Sequence, residues 1–303
     1  GHIDFDASQK PAGGMTPNFA DPSNPGRLHN METHQENTSP QPYISLNPGK
    51  WTDINTWLRP DVWDIPNGYL DGSTEITWNI VKTRHDITSD QKDIEVLGLI
   101  VEAGELGIFD PMVTAGLHWE NPGQELRITH YLKLIGNIDL NGESQLLQNS
   151  GSVVDPGSTG QIEIDQQGTK SSYNYNYWTS PVSSGYRHLP FTISGAMKDG
   201  TFPDPKDIRF GYPYHFADAP VTDPVSVSSY WLYKFNGEAY MYARWIYVGQ
   251  DGPVNVGEGY SMKGTDGNAA ISDRQNYTFK GLPNNGDFTL KIKEGDNYLI
   301  GNP

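Results

Sequence analysis

The chain has 303 residues, with 21 Lys plus Arg against 37 Asp plus Glu and a formal net charge of −16. That field repels phosphate backbones and anionic lipid, so neither nucleic acid nor membrane insertion is expected, and no apolar run approaches the ~18 residues of a membrane-spanning helix. Cysteine is absent, which excludes disulfide staples, thiolate zinc sites and cysteine nucleophiles.

The 33 Gly and 22 Pro supply turn chemistry throughout, accompanied by 17 Tyr, 10 Phe and 8 Trp. Frequent turns with many aromatic residues predict short strands and an all-β fold. Residues 1–48 are rich in Pro, Asn, Gly and Ser without apolar periodicity, and read as an extended, loop-like lead-in. The run WTDINTW, Trp51 to Trp57, sets two large rings around polar turn residues and suits a cap over an exposed β end.

From Glu75 to Asp165 the strand signals are short and repetitive. Apolar residues alternate at Leu97, Leu99 and Val101, and again at Leu132, Leu134, Ile138 and Leu140. Gly or Asn bends between such strands, without helical spacing, predict a β-solenoid-like domain over 49–170, because each coil must turn sharply and bury a narrow stripe. A sandwich could use the same strands. Asp110 to Glu125, with two Pro and several polar residues, reads as a projecting loop. Beyond the turn-rich SGSVVDPGSTG, the runs YNYNYW, YWLYKF, YMYARWIYVG, YTFKG and FTLKI predict a second unit, a β-sandwich domain over 171–303.

WTDINTW, LIGNIDLNGESQLLQ, IEIDQQGTKSSYNYNYWTSPVS, GEGYSMKGT, QNYTFKGLPNNGD and NYLIGNP follow one another in this order. Over roughly residues 50–303 the chain thereby resembles the large secreted cell-surface proteins and gliding adhesins of Bacteroidota exported by the type IX secretion system. The resemblance implies an extracellular, cell-surface location, and contact with the secretion machinery through a C-terminal sorting domain beyond Pro303. It supplies no catalytic constellation.

In YNYNYW, strand alternation puts Tyr173, Tyr175 and Tyr177 on one face and Asn174, Asn176 and Trp178 on the other. The rings could stack on sugar faces, so Tyr173, Tyr175, Tyr177 and Trp178 are the candidate ligand-binding residues. Cross-strand packing is the plainer reading. Tyr230, Trp231, Tyr233, Tyr240, Tyr242, Trp245 and Tyr247 form a second cluster open to the same two readings.

Acidic turns could hold Ca²⁺, since loops offer carboxylate and carbonyl oxygens together. The candidate ligands are Asp199, Asp204 and Asp207, with Asp218 and Asp223. Asn137, Asp139, Asn141 and Gly142 imitate the start of an EF-hand, but Gln148 stands where a bidentate Glu belongs, and the segment reads better as a polar strand face with an Asn-Gly turn. His85 beside Asp86 makes a poor dyad, because neighbours on a strand point to opposite faces.

The function expected is therefore non-catalytic: a structural and adhesive segment that binds extracellular glycans or surfaces. Two rivals stand beside it, a β-solenoid polysaccharide lyase or glycoside hydrolase acting in a groove, and a pure spacer in a longer surface filament.

Overall fold

The computed structural model describes residues 42–58, 65–69, 72–108, 122–185, 189–238 and 240–302. They build an all-β structure in which the chain first passes back and forth between two sheets. β1 (Tyr43–Ile44) lies in the first sheet and β2 (Gly49–Lys50) in the second, and β3 (Ile80–Thr83) and β4 (Ile87–Thr88) repeat the step. β5 (Ile94–Val101) and β6 (Glu105–Ile108), then β7 (Glu125–Leu134) and β8 (Asn137–Leu140), repeat it again. β9 (Gln145–Gln148) and β10 (Val153–Val154) both pair with β7, and β11 (Ile162–Thr169) pairs with β8. All these pairings are parallel. β1 belongs to the stretch expected as lead-in, and its pairing with β3 makes the last part of that stretch a strand.

The register stacks like side chains into columns. Tyr43, Val81, Leu99, Leu132 and Val154 are successive partners in the first sheet. Ile87, Leu106, Ile138 and Ile162 are successive partners in the second. All are buried. Parallel strands suit such columns because β-branched and Leu side chains repeat at one height, each fully buried one contributing about 2 kcal/mol. Trp51 and Trp57, also buried, meet edge to face at 5.1 Å beside the end strands β1 and β2, with Trp57 Nε1 donating to the Trp51 carbonyl at 3.0 Å and Trp51 Nε1 to Asn67 Oδ1 at 3.1 Å.

The expected alternation through Leu97 is corrected. Ile94 and Val96 point inward, the register then slips between Val96 and Gly98, and Leu99 and Val101 resume the inward set, leaving Leu97 out of phase. The Leu97 and Gly98 N–H groups both donate to the Asn79 carbonyl, at 2.9 and 3.3 Å. Two donors on one acceptor are the mark of a β-bulge, which shifts the side-chain phase by one residue. In the projecting insert, residues 110–121 lie outside the described residues.

The remaining strands are mostly antiparallel. They are β12 (Tyr175–Trp178), β13 (Val182–Ser183), β14 (Met197–Asp199) after the short helix α1 (Ile193–Ala196), β15 (Lys206–Asp207), β16 (Arg209–Gly211), β17 (Ser226–Ser228), β18 (Tyr233–Gly237), β19 (Trp245–Tyr247), β20 (Tyr260–Lys263), β21 (Arg274–Pro283) and β22 (Asn297–Tyr298). β21 pairs along all of β11 and carries β14 on its other side, so hydrogen bonds of one sheet run across residue 170. A further sheet runs β12, β20, β18, β19, with β22 also on β18. One face of it lies against β21: Trp178 meets Tyr277 at 5.6 Å and Phe279 at 6.1 Å, both edge to face.

Candidate functional site

The opposite face of that sheet is where exposed rings collect, and the register explains why. Tyr177 partners Ser261, Ser261 partners Tyr233, and Tyr233 partners Tyr247, so this row crosses four strands on one side. Two residues along, Tyr175 partners Lys263. Partners across a ladder share a face, so three tyrosines flank one small residue, and the rings close over Ser261, whose Oγ donates to the Trp231 carbonyl at 3.1 Å. The row is about 14 Å wide, three inter-strand spacings of about 4.8 Å.

Rings from turns extend it. Trp231, in a 3-10 turn over Ser229–Trp231, meets Tyr175 edge to face at 6.1 Å and Tyr230 at 4.8 Å, and its Nε1 donates to the Tyr214 carbonyl at 2.9 Å. Tyr212 joins Tyr230 at 5.8 Å and Tyr247 at 6.3 Å, and Tyr233 meets Tyr247 at 5.4 Å. Tyr175 and Tyr177 stack at 6.3 Å with their planes 22° apart. Tyr177 is 59% exposed, Tyr212 64% and Tyr242 86%. Burial, then the neighbouring phenols of Tyr242, Tyr177, Tyr233 and Tyr230, raises the Tyr175 pKa. Burial, with Tyr230, Tyr212, Tyr242 and Tyr247, does the same at Tyr233. The hydroxyls therefore stay protonated at neutral pH and offer donors and acceptors among the ring faces.

No family model matches the chain, and neither the curated proteins nor the solved structures contain a match. Chemistry has to be read from the side chains themselves.

Of the expected ligand-binding residues, Tyr173, Tyr175 and Tyr177 are exposed, Tyr173 in the turn that precedes β12 and the other two on one face of the strand. Trp178 is not on the face of Tyr175 and Tyr177. It turns into the layer against β21, and its Nε1 is buried without a hydrogen-bond partner among the described residues. Asn176, on the same inward side, accepts from the Thr169 N–H at 2.8 Å and donates to the Thr169 carbonyl at 3.1 Å. Trp178 thus leaves the ligand set because strand alternation sends it inward. The structure adds Tyr212 and Tyr214, which the run Tyr-Pro-Tyr could have signalled, and Lys263, which only the β12–β20 register reveals.

The expected Ca²⁺ ligands are not gathered. Asp199 is fully buried and accepts from the Thr201 N–H at 3.0 Å, the Thr201 hydroxyl and the Val225 N–H at 2.9 Å. Asp207 is held by Lys198 at 2.7 Å, Asp223 by Lys206 at 2.6 Å, and Asp218 accepts from Ser172 Oγ at 2.8 Å, while Asp204 is exposed. Among the described residues no three His, Cys, Asp or Glu side chains gather as a cation site. Protein donors occupy both oxygens of Asp199, while Asp207, Asp218 and Asp223 each have one protein partner.

Carboxylates converge elsewhere, on the outer side of the second sheet. Asp139 is flanked by Gly107 on β6 and Glu163 on β11. Burial, then the carboxylates of Asp165, Glu163 and Glu105, pushes its pKa up to about 8. Glu163 pairs with Lys280 at 2.5 Å. Asp165 accepts from Asn276 Nδ2 and Thr278 Oγ1, both at 2.8 Å, and from the Gly142 N–H at 3.1 Å. Asn137–Leu140 is a strand and Gly142 a left-handed turn residue (φ 64°), as the polar-face reading of the EF-hand imitation expects. His85 Nδ1 bonds to Ser45 Oγ at 2.9 Å, while Asp86 accepts from the Glu105 N–H at 3.0 Å, so the two neighbours serve different partners.

A cavity of about 600 Å³ lies between β18 and the segment 287–300. Of its carboxylates Glu258 and Asp287, Glu258 is paired with Lys234 at 2.8 Å. Burial opposes ionisation of Glu258, but hydrogen bonds from Lys234 and the Asn255 N–H outweigh it and hold the pKa below its ordinary value. An ion-paired carboxylate of this kind is a poor proton donor.

Proposed function

We propose that the chain is a non-catalytic, structural and adhesive segment of a secreted cell-surface adhesin of the type IX secretion class, binding extracellular glycans. The observation that carries this reading is the row Tyr177, Ser261, Tyr233, Tyr247, extended by Tyr175, Trp231 and Tyr212. Pyranose rings have C–H-rich faces that stack on aromatic rings and hydroxyl rims that hydrogen-bond with phenols, so a broad ring surface suits an oligosaccharide better than a compact metabolite. The two-sheet circuit of parallel strands and its apolar columns support a β-solenoid-like stack. The antiparallel sheet against β21 supports a β-sandwich, and the scaffold would hold the rings away from the cell.

The polysaccharide-cleaving alternative draws on one arrangement, Asp139 with its pKa raised to about 8 beside Glu163, which would set a proton donor next to a second carboxyl. A single experiment separates the readings. Purified chain is passed over immobilised polysaccharides, and the flow-through is assayed for new reducing ends and unsaturated products. Retention without product, lost in Tyr177→Ala with thermal unfolding unchanged, is expected. Product that disappears in Asp139→Asn would replace the adhesive reading with the enzymatic one, and absence of retention on every polymer would leave a spacer.

A further inference from the structure

Lys263 stands among the rings, its Nζ 3.9 Å from the Trp231 centroid and 5.1 Å from that of Tyr175. Eight of the twelve described lysines meet acids, among them Lys82 with Glu102 at 2.5 Å, Lys92 with Glu75 at 2.7 Å and Lys234 with Glu258 at 2.8 Å. Lys263 makes no ion pair and no hydrogen bond with any described residue. Ring faces attract the ammonium electrostatically, yet they leave its N–H donors without directional acceptors. Burial lowers the Lys263 pKa, against an opposing pull from Asp218. The site therefore holds a partly desolvated cation in a chain of net charge −16, and Asp218, the acid whose charge it feels, makes no ion pair with it.

We propose that the aromatic face takes a uronic-acid-bearing polysaccharide, with pyranose rings on Tyr177 and Tyr233 and a uronate carboxylate accepting from Lys263 Nζ. This rests on the glycan-binding reading and narrows it to a ligand class. A uronate carboxylate projects from the edge of the sugar ring, so the flat face stays free to stack while the acid reaches the ammonium. A densely sulfated chain would meet the negative field of the protein with more charge and only one lysine in return. Charge-assisted bonds in partly desolvated surroundings exceed neutral ones, and so the acid should be preferred over its ester.

The test is titration of the whole chain with galacturonan oligomers and with the same oligomers fully methyl-esterified, alongside dextran and dextran sulfate. Wild type is expected to bind the acid about ten-fold more tightly than the ester. Lys263→Gln should erase the preference and keep ester binding, Lys263→Arg should keep the preference, and Tyr177→Ala should weaken both ligands. Equal binding of acid and ester by wild type, or a preference that survives in Lys263→Gln, overturns the uronate inference and leaves the glycan reading standing. Tighter binding of dextran sulfate than of galacturonan also overturns it. Failure to bind any of the four polymers overturns both.

Discussion

Asp139 and Glu163 are direct partners across the parallel strands β8 and β11, so two carboxyls share one side of the second sheet. Like charges so placed disfavour ionisation, and with burial as the larger cause the Asp139 pKa rises to about 8. An acid whose pKa is raised on folding contributes stability that is complete below its unfolded value, near 4, and is lost as pH climbs through the folded value. Stability of the wild type should therefore fall between about pH 4 and pH 8. Asp139→Asn, which mimics the neutral acid, should flatten that slope and be about 2 kcal/mol more stable at pH 8, less than full linkage gives because the half-buried side chain keeps some solvent. Urea midpoints at pH 5, 7 and 8.5 check it, and parallel slopes for the two proteins would sink the assignment.

The columns make a second expectation quantitative. Leu99 and Leu132 are register partners with no exposed surface, between Val81 on one side and Val154 on the other. Truncating either leaves a gap that strands fixed above and below cannot close. Leu132→Ala should cost about 3 kcal/mol, and Leu97→Ala, outside the column because of the bulge, under about 1 kcal/mol. Chemical denaturation of the two variants measures the contrast. Equal losses would place Leu97 back in the inward set.

That contrast also marks what was legible in the residues. Leu132, Leu134, Ile138 and Leu140 alternate in the chain and all lie inward, because a burial stripe with period two leaves a direct trace in sequence. Leu97 misled because a bulge depends on where the neighbouring carbonyl of Asn79 sits, which alternation cannot report. Tyr175 and Tyr177 were readable as one exposed set for the same reason as the columns, whereas Tyr173 is exposed in the turn before β12. Lys263 was not readable, since it reaches the rings through pairing of strands far apart in the chain. The acidic turns were plausible cation ligands by composition alone, but composition does not show that Lys198, Lys206 and backbone N–H groups already satisfy Asp207, Asp223 and Asp199.

Close approach at the bends yields a third prediction. A Cβ on Gly160 would run into the carbonyl oxygens of Gly136 and Ile135, and a Cβ on Gly136 into that of Gly104. Successive bends thus pack backbone on backbone at Gly104, Gly136 and Gly160. Gly160→Ala should push neighbouring bends apart and lower stability by about 2–4 kcal/mol, although alanine adds apolar surface. Gly151→Ala, with open space around the added carbon but φ at 83°, should lose about 1 kcal/mol through backbone strain alone. If thermal unfolding shows the two variants equally impaired, close packing of the bends is not what glycine serves at 160.

The layer between β21 and the antiparallel sheet holds polar atoms that no described neighbour satisfies. The hydroxyls of Tyr260 and Tyr277 are buried without a hydrogen-bond partner among the described residues, and burial pushes both phenols to higher pKa. The rings do the packing: Tyr277 lies edge to face with Trp178, and Tyr260 meets Phe191 at 6.2 Å. An unpartnered buried hydroxyl forfeits its hydrogen bonds to water and gains nothing in exchange, so removing it while keeping the ring relieves a cost. Tyr277→Phe should leave stability unchanged or raise it by about 1 kcal/mol, whereas Tyr277→Leu, which loses the aromatic edge, should lower it by about 2 kcal/mol. Equilibrium unfolding in urea separates the cases. A loss of 1 kcal/mol or more in the phenylalanine variant would mean that the hydroxyl bonds to an internal water, and that the layer between the sheets is not dry.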